Sequence, residues 1–354
     1  MRFKSIPLVI LLFSCFAACR AEGRYALVNA SNVFLREEAR YGSECVSQSR
    51  MGTLVEVLEQ QGYWVRVRTP EPYEGWINEL ALAPVKALDA AQQASMHEFS
   101  PKLQPFGEKE AKLWLKADKY ICTAEYSHIF SEPSEESERL GDFLMSDLVK
   151  AAETSDASAG GKQSRADLSE SGAEWLPVTL ADGRHGWVRS RDVRPFREWA
   201  EDYCWHRLNS GEDMSDSIIS LAKRFLGMPY MWGGMSVGHF DCSGLTGFCY
   251  FMNGILLPRD ASQQVKCGVE VPRNRMRPGD LVFFGDSRVS HVAIYIGDGR
   301  IIHSSQVVRI NSLKPSEPDY YGRNILAVRR ILGHLDEGSD GFKAITIIDS
   351  PKYF

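Results

Sequence analysis

Two stretches of this chain carry the same pattern of tryptophan and glycine residues. Trp64 is followed by Gly75-Trp76-Ile77, and Trp175 is followed by Gly186-Trp187-Val188, so the two tryptophans are 12 residues apart in both stretches. Each stretch consists of short apolar runs broken by Gly, Pro and polar residues, without helical periodicity. A tryptophan strand, a turn and a returning Gly-Trp-aliphatic strand form a hairpin whose aromatic side chains close a small barrel. The sequence therefore predicts two small all-β domains with the four tryptophans in their cores, over residues 25–87 and 117–196.

Two further segments differ from these barrels in composition. Residues 88–116 are rich in Ala, Gln, Glu and Lys, which is typical of a helix or linker. Residues 151–174 contain one large apolar side chain, Leu168. Such a segment cannot bury itself, so we expect a flexible insertion in the second barrel.

Residues 212–334 show mixed helical and strand patterns. A first helix is expected from Ser215 to Gly227, and a second begins near Asp241. The first helix is expected to bury one apolar face, formed by Ile218, Ile219, Ala222, Phe225 and Leu226. Strands are expected at Asp280–Phe284, His291–Ile296 and Arg300–Ser304, the last two joined by the turn Gly297-Asp298-Gly299. A helix followed by antiparallel strands predicts an α+β domain, with residues 335–354 as a tail.

Cys242 stands at the predicted start of the second helix, after the glycine-rich segment Tyr230-Met231-Trp232-Gly233-Gly234. The first turn of a helix offers unpaired N–H groups and a partial positive charge, which are expected to lower the thiol pKa below about 8.5. The same N–H groups can stabilise an oxyanion. A cysteine of an exported protein is more often a half-cystine or a buried residue, and we assign Cys249 to packing.

Two histidines lie where a thiol nucleophile needs them. His291 opens a strand, and the Gly-Asp-Gly turn returns the next strand so that His303 lies within about two residues of register. Both side chains then share one face of the sheet. His291 can carry the proton of the nucleophile to the leaving amine, and His303 can orient the His291 ring.

These motifs together resemble the NlpC-type cell-wall peptidases, which have a papain-like fold. The resemblance rests on Asp241-Cys242-Ser243-Gly244, on Ser290-His291-Val292-Ala293-Ile294-Tyr295-Ile296-Gly297 and on Ile302-His303. It implies Cys242 as nucleophile, His291 as base and His303 as orienting residue. The two regions before it resemble bacterial SH3-like domains. Together they resemble the dipeptidyl-peptidase VI type, which cuts the γ-D-glutamyl bond to L-Lys or diaminopimelate in murein peptides with a free N-terminal L-Ala.

Such a substrate carries a free ammonium and a free carboxylate, so its site needs an anion and hydrogen-bond donors. The resemblance places Asp241, Ser243, Arg259 and Asp260 along the cleft, with Tyr230 and Trp232 as its wall. It also implies that a Glu and a Tyr near the first barrel bind the ammonium. Glu79 and Tyr120 are the candidates, with Tyr126 as the alternative for the tyrosine. No metal or organic cofactor is expected, because a thiol and a histidine suffice.

The first 19 residues read as a secretory signal peptide, with Arg2 and Lys4 before an apolar run. Phe16-Ala17-Ala18-Cys19 resembles a lipoprotein cleavage box, and ordinary cleavage near Ala21 is equally open. We therefore expect an exported monomer, periplasmic or attached to the cell envelope, with Cys19 as a candidate lipid anchor. Six cysteines remain outside the leader, widely scattered and without a CxxC pair, so no dense disulfide framework or zinc site is indicated.

The charge balance argues against one class of partner. Lys plus Arg number 41 and Asp plus Glu 46, a net charge of −5, so nucleic-acid binding is not expected. Murein peptides are the expected ligand. Two alternatives stay open: an amidase or acyltransferase that uses the same Cys and His, and a wall-binding protein without catalysis.

Overall fold

The computed structural model describes residues 24–83, 103, 105–152, 173–203 and 214–354. Residues 25–83 form a small β-barrel, here called the first barrel. Its strands are β1 Tyr25–Val28, β2 Val33–Arg36, β3 Cys45–Ser49, β4 Leu54–Gln61, β5 Trp64–Arg68, β6 Glu74–Asn78 and β7 Leu82–Ala83. They pair in the order β3-β2-β6-β5-β4-β1-β7, and a 3₁₀ turn over Glu79–Ala81 precedes the last strand.

A second barrel repeats this design after helix α1, Glu108–Lys116. Its strands are β8 Lys119–Cys122, β9 Tyr126–Phe130, β10 Arg139–Leu144, β11 Leu148–Ala151, β12 Trp175–Thr179, β13 His185–Arg189 and β14 Val193–Pro195. Their order, β10-β9-β13-β12-β11-β8-β14, is the order of the first barrel with every strand number raised by seven. The repeated sequence pattern thus corresponds to a repeated topology.

The repeated Gly-Trp pair sits at the same place in both barrels, on β6 and β13. A Cβ atom added to Gly75 would lie 2.9 Å from the Leu35 Cβ, and one added to Gly186 would lie 2.7 Å from the Ile129 Cγ2. Side chains alternate along a strand, so an inward glycine turns its tryptophan neighbour away from the core. The predicted tryptophan cores are therefore wrong in part: Trp64 is buried, whereas the other three are half-buried, at 76, 175 and 187.

The remaining described residues form an α+β domain, as predicted. Its helices, counted with a short one that follows the second barrel, are α2 Phe196–Glu201, α3 Met214–Arg224, α4 Cys242–Phe251 and α5 Ala261–Gln264, and a 3₁₀ turn covers Arg273–Arg275. Helix α3 buries Ile218, Ile219 and Ala222, and Phe225, directly after the helix, is buried as well. The predicted burial of Leu226 is wrong, because α3 ends at Arg224 and the Leu226 side chain lies 48% exposed in the following turn.

Strands of the α+β domain form one six-stranded antiparallel sheet and three short pairs. They are β15 Met235–Ser236, β16 His239–Phe240, β17 Ile255–Leu256, β18 Val269–Glu270, β19 Leu281–Gly285, β20 Val289–Gly297, β21 Arg300–Ser305, β22 Val307–Ser312, β23 Ile325–Arg330, β24 Gly338–Ser339, β25 Phe342–Lys343 and β26 Ile345–Thr346. The large sheet has the order β18-β23-β19-β20-β21-β22. Helix α4 packs across β20 and β21, so its first residue lies above the histidine strands.

The first barrel is joined to the α+β domain through its edge strand β3. The Gln48 Oε1 accepts hydrogen bonds from the backbone N–H of Met235 at 2.7 Å and from the Ser236 hydroxyl at 2.9 Å. The Gln48 Nε2 lies 3.0 Å from the His239 Nε2. One barrel side chain therefore holds both strands of the β15–β16 hairpin, which leads directly into α4.

The tail also packs into this junction. Tyr353 is buried against Phe251 of α4, and its hydroxyl lies 3.5 Å from the Arg50 Nη1. Arg50 forms a buried ion pair with Glu71 at 2.6 Å, and its guanidinium lies 4.1 Å from the centre of the Phe251 ring. Segments distant in sequence therefore share one buried contact, here called the junction.

Some predictions fall partly or wholly outside the described residues. The leader 1–19, with Cys19, lies outside them, as do residues 88–102 of the predicted linker and 153–172 of the predicted insertion. In the ranges that are described, cysteines 45, 122, 242, 249 and 267 are all free thiols. Within those same ranges no helix is long and apolar enough to cross a bilayer.

Candidate active site

Cys242 occupies the first position of helix α4 because of tight local packing. Asp241 is the N-cap: one carboxylate oxygen accepts from the Gly244 N–H at 2.6 Å, and the other from the Gly233 N–H at 3.0 Å. A Cβ atom on Gly244 would lie 1.9 Å from the Gly234 carbonyl oxygen, so no other residue fits there. The N–H of Cys242, at the helix start, has no carbonyl partner within the helix and is available to a ligand.

The two predicted histidines meet side by side on the sheet below Cys242. Strand β20 pairs with β21 so that Ile294 faces Ile302, which places Ala293 opposite His303 and leaves His291 two residues away. The His291 Nε2 lies 2.7 Å from the His303 Nδ1. This geometry confirms the predicted register between the two strands.

A third polar residue, Asn311 of β22, continues the hydrogen-bond chain from His291 and His303. The Asn311 Nδ2 donates to the Asp319 carbonyl at 2.6 Å, which fixes the amide orientation, and its Oδ1 lies 2.9 Å from the His303 Nε2. An amide oxygen only accepts, so the His303 Nε2 carries the hydrogen and the His303 Nδ1 accepts from His291. His291 therefore holds its hydrogen on Nε2 and has a lone pair on Nδ1, the form that a general base requires.

Burial governs the proton affinities of this site. Burial raises the pKa of the Cys242 thiol to about 11, and the Asp241 charge acts in the same direction. Hydrogen bonds from the Val292 and Ser243 backbone N–H groups, together with the Arg259 charge, lower it but do not prevail. The predicted depression of the thiol pKa is thus wrong for this structure, because the helix start is shut off from water.

The histidines shift in the opposite direction. Burial lowers the pKa of His291 to about 3, helped by His303 and by the Arg323 and Arg309 charges. Burial lowers the pKa of His303 to about 4, although its hydrogen bond to Asn311 works against this. A neutral thiol beside neutral imidazoles is therefore the resting form at neutral pH.

Arg259 lies fully buried between the first barrel and α4. Its Nη2 pairs with Asp241 at 2.5 Å, its Nη1 lies 3.1 Å from the Ser243 Oγ, and its Nε donates to the Ser47 Oγ at 3.0 Å. Every side of the guanidinium is engaged, so Arg259 and Asp241 hold the start of α4 in place. Ser243 belongs to the same network, since its hydroxyl also donates to Asp241 at 3.2 Å.

Four side chains from neighbouring segments, here called the mouth of the site, are Tyr230, Trp232, Asp260 and Tyr73. Tyr230 is half-buried, and burial raises its pKa, with Cys242 and Asp241 acting in the same direction. Trp232 is 58% exposed. Asp260 is half-buried next to Arg259, and burial raises the pKa of its carboxyl. Tyr73 of the first barrel lies near Asp260. Burial raises the pKa of the Tyr73 hydroxyl, and the Asp260 charge raises it further.

The structure does not bring Glu79 and Tyr120 to this site. The Glu79 carboxylate is buried, where it accepts from the Leu103 N–H at 3.1 Å and from Gln60 at 3.2 Å. Glu79 follows β6 whereas Tyr73 precedes it, so roughly 20 Å of strand separates them. Tyr120 lies on β8 of the second barrel, near Glu198 of helix α2. Tyr126, the alternative, is exposed and its hydroxyl points toward Gly238.

Sequence reasoning missed three residues of this site: Asn311, Tyr73 and Tyr321. The Tyr321 ring packs against both histidines, with its centre 4.5 Å from the His303 ring centre and 5.6 Å from that of His291. Asn311 could have been found from the even spacing of 303 and 311 across a further hairpin, because β21 and β22 are joined by a short turn. No comparable signal marks Tyr73 or Tyr321, which reach the site from loops.

Comparison with known proteins gives two matches to domain families and long alignments to relatives. Residues 227–330 match the NlpC/P60 family, and residues 31–82 match the bacterial SH3 domain. The gamma-D-glutamyl-L-lysine dipeptidyl-peptidase of Bacillus cereus is 30% identical over 299 residues, which cover 81% of this chain and 75% of the relative. Dipeptidyl-peptidase 6 of Lysinibacillus sphaericus is 24% identical over 300 residues, 83% of this chain and 94% of the relative.

A solved structure shares the whole architecture. The crystal structure of an NlpC/P60 family protein from Bacillus cereus aligns with a TM-score of 0.63 and 22% identity, covering 86% of this chain and 99% of that one. At this identity the likeness establishes the fold. It extends over the barrels as well as the domain that carries Cys242.

Proposed function

This chain belongs to the NlpC/P60 family of cysteine peptidases, and from that premise we propose that it hydrolyses the γ-D-glutamyl bond to L-Lys or diaminopimelate in murein peptides with a free N-terminal L-Ala. The observation that carries the proposal is the chain of hydrogen bonds from His291 over His303 to Asn311, with the Cys242 thiol beside the backbone N–H of Val292, the residue that follows His291. The long similarity to two dipeptidyl-peptidases supports the choice of substrate.

In this reaction the Cys242 sulfur attacks the γ-carbonyl carbon of the D-glutamyl residue. The thiol proton passes to the His291 Nδ1 as the C–S bond forms, because both groups rest in their neutral forms. The Cys242 N–H at the start of α4 stabilises the oxyanion. The C–N bond then breaks as the imidazolium returns the proton to the leaving amine, and water hydrolyses the thioester.

His303 and Asn311 act through His291. When His291 takes the thiol proton it becomes an imidazolium, and its Nε2–H donates to a neutral His303 acceptor already in place. That acceptor exists only while Asn311 keeps the His303 hydrogen on Nε2. Both are therefore positioning residues in this proposal.

Recognition of the N-terminal L-Ala needs an anion at the far side of the thiol. Asp241 is neutralised by Arg259, which leaves Asp260 as the acidic side chain of the mouth without such a partner in the described ion pairs. We assign the ammonium to Asp260 and the hydroxyl of Tyr73, in place of Glu79 and Tyr120. Tyr230 and Trp232 form the wall along the dipeptide.

The test is mass spectrometry of L-Ala-γ-D-Glu-L-Lys and its N-acetylated form after incubation with the enzyme. Wild type is expected to release L-Ala-D-Glu from the free-amine peptide only, and Cys242→Ala is expected to release none. Cys249→Ala is the matched control, since this buried thiol lies on the same helix and is expected to leave cleavage intact. Cleavage of the acetylated peptide at equal rate would remove the ammonium site, and cleavage of neither would contradict the proposed activity.

We also propose that the protein is an exported monomer, either released after cleavage near Ala21 or anchored through a lipid on Cys19. The basic and apolar pattern of residues 1–19 supports export. Metabolic labelling with a radioactive fatty acid distinguishes the two forms. Label that is lost in Cys19→Ala would support the anchor, and an unlabelled protein in the soluble fraction would support plain cleavage.

A further inference from the structure

Two arginines lie beside the histidine pair. Arg309 of β22 is in register with His303 of β21, so the two side chains project from the same face of the sheet. Arg323 donates from its Nη2 to the Ser290 Oγ at 2.8 Å, and Ser290 directly precedes His291. Both guanidinium groups therefore lie beside the base of the proposed reaction.

Neither arginine has an acidic partner among the ion pairs of the described residues. The Arg309 Nε is buried without a hydrogen-bond partner. Two acidic residues follow on the same segment, Glu317 and Asp319, but Arg300 holds both, at 3.0 and 2.6 Å. Two guanidinium groups beside the site are thus left without an acidic partner in the described ion pairs, so they can pair with an anionic group of a ligand.

The charged groups that act on the thiol differ from those that act on the imidazoles. The Cys242 thiol lies in the field of Asp241 and Arg259, whereas both histidines lie in the field of Arg309 and Arg323. In the proposed reaction the acyl group is bound to Cys242, and the leaving nitrogen must be within hydrogen-bond distance of His291. The leaving residue therefore lies close to the two arginines, which neighbour His291 and His303.

We propose that Arg309 and Arg323 bind a carboxylate of the leaving diamino acid, an inference that rests on the proposed function. The main-chain carboxylate of that residue is separated from the leaving nitrogen by one carbon atom. It is charged only when the peptide ends there, because a fourth residue turns it into a neutral amide. Diaminopimelate carries a second carboxylate at the far end of its side chain, where lysine has none. Both sources present the same chemistry to a guanidinium.

The proposal is tested with substrates that share the leader L-Ala-γ-D-Glu and differ in the leaving residue. These are L-Lys, L-Lys amide, 1,5-diaminopentane and meso-diaminopimelate, and every one releases the same dipeptide. Wild type is expected to show a kcat/KM about tenfold or more higher for L-Lys than for its amide, since a hydrogen-bonded charge is lost. A further gain with diaminopimelate would assign the side-chain carboxylate to the same pair.

The variants Arg309→Gln and Arg323→Gln keep hydrogen-bonding capacity and remove the charge. In each, the ratio of kcat/KM between L-Lys and its amide is expected to fall toward one. This ratio cancels any change in the His291 base itself, because the base serves both substrates. Arg191→Gln is the matched control, since Arg191 is exposed in the second barrel, and it is expected to keep the wild-type ratio. Arg323 is exposed as well, so its variant tests the proposal even where Arg309→Gln does not fold.

Two results would overturn the inference and are distinguishable from each other. Equal kcat/KM for L-Lys, its amide and diaminopentane in wild type would overturn the carboxylate site and leave the proposed peptidase activity standing. Failure of wild type to cleave any of the four substrates would overturn the proposed activity and this inference with it.

Discussion

Asn311 shows how one amide determines the chemistry of a residue that it does not touch. Its orientation is fixed by the Asp319 carbonyl, and through His303 it determines which nitrogen of His291 bears the hydrogen. A wrong tautomer would turn a hydrogen toward the thiol in place of a lone pair. In the proposed reaction the effect is therefore on proton transfer rather than on substrate binding.

We predict that Asn311→Leu lowers kcat about tenfold and leaves KM within about a factor of two, because a hydrogen bond and the tautomer preference are lost together. Steady-state kinetics on L-Ala-γ-D-Glu-L-Lys measures this. Asn253→Leu is the control, since Asn253 is also a buried asparagine and donates to the Cys249 carbonyl at the end of α4. It is expected to lower thermal stability without lowering kcat. A raised KM with unchanged kcat in Asn311→Leu would contradict the positioning role.

The buried histidines also make stability depend on pH. His303 has a folded pKa of about 4, below the value of about 6.5 in an unfolded chain. The unfolded state thus binds more protons than the folded state between these values, and stability falls as the pH drops from about 6.5. The expected slope is at most about 1.4 kcal/mol per pH unit for each such histidine.

We predict that His303→Gln flattens this slope by up to about 1.4 kcal/mol per pH unit between pH 4.5 and 6, because the variant lacks one group whose pKa is lowered by folding. Urea unfolding of both proteins at several pH values gives the comparison. His185→Gln serves as the control, because His185 is exposed on the second barrel. If stability fell equally steeply with pH in wild type and His303→Gln, His303 would bind protons in the folded state as it does in the unfolded chain.

The residues that the sequence could predict are those placed by local geometry. Cys242 follows from a helix start, and His303 follows from a two-strand register and a compact turn whose glycines adopt φ of +96° and +76°. Tyr73 and Tyr321 could not be predicted, since loop conformation places them. The depth of burial of a side chain could not be predicted from the sequence, and burial reversed the expected pKa shift of the Cys242 thiol.

At the scale of elements, strand β3 of the first barrel supports the start of α4. Ser47 and Gln48 are neighbours on β3, and one contacts Arg259 while the other holds the β15–β16 hairpin. The paired barrel topologies followed from the spacing of tryptophan and glycine. The attachment of β3 to the α+β domain could not be predicted from that spacing, because it depends on which barrel edge meets the α+β domain.

We predict that Arg259→Lys destabilises the fold by about 3 kcal/mol or more, because an ammonium cannot replace the fork that bonds Asp241, Ser243 and Ser47 at once. Differential scanning calorimetry measures the change. Arg66→Lys is the control: Arg66 is exposed on the first barrel, and its bond to Glu74 is expected to contribute little. Similar stability of Arg259→Lys and wild type would contradict the locking role of this guanidinium.

At the scale of the whole molecule, the junction of Arg50, Glu71, Phe251 and Tyr353 ties the first barrel, α4 and the tail together. The tail had no predicted role in the sequence. Its contribution depends on contacts between residues about 300 positions apart, which no local pattern reveals.

We predict that Tyr353→Ala lowers the free energy of unfolding by roughly 3–5 kcal/mol, since a fully packed aromatic ring is removed. Tyr353→Phe keeps the ring and loses a long hydrogen bond, so it is expected to cost less than about 1.5 kcal/mol. Chemical denaturation of the two variants separates packing from hydrogen bonding. Equal losses in both would assign the effect to the hydroxyl.

The attachment of β3 has a consequence for how proteins of this kind exchange parts. Domain families divide the chain at residues 31–82 and 227–330, as if each portion could be moved alone. Yet Ser47 and Gln48 complete hydrogen bonds around the start of α4. A chimaera that takes the α+β domain from one relative and the first barrel from another would inherit mismatched halves of those bonds. The unit that recombination can transfer intact is therefore the first barrel together with the α+β domain.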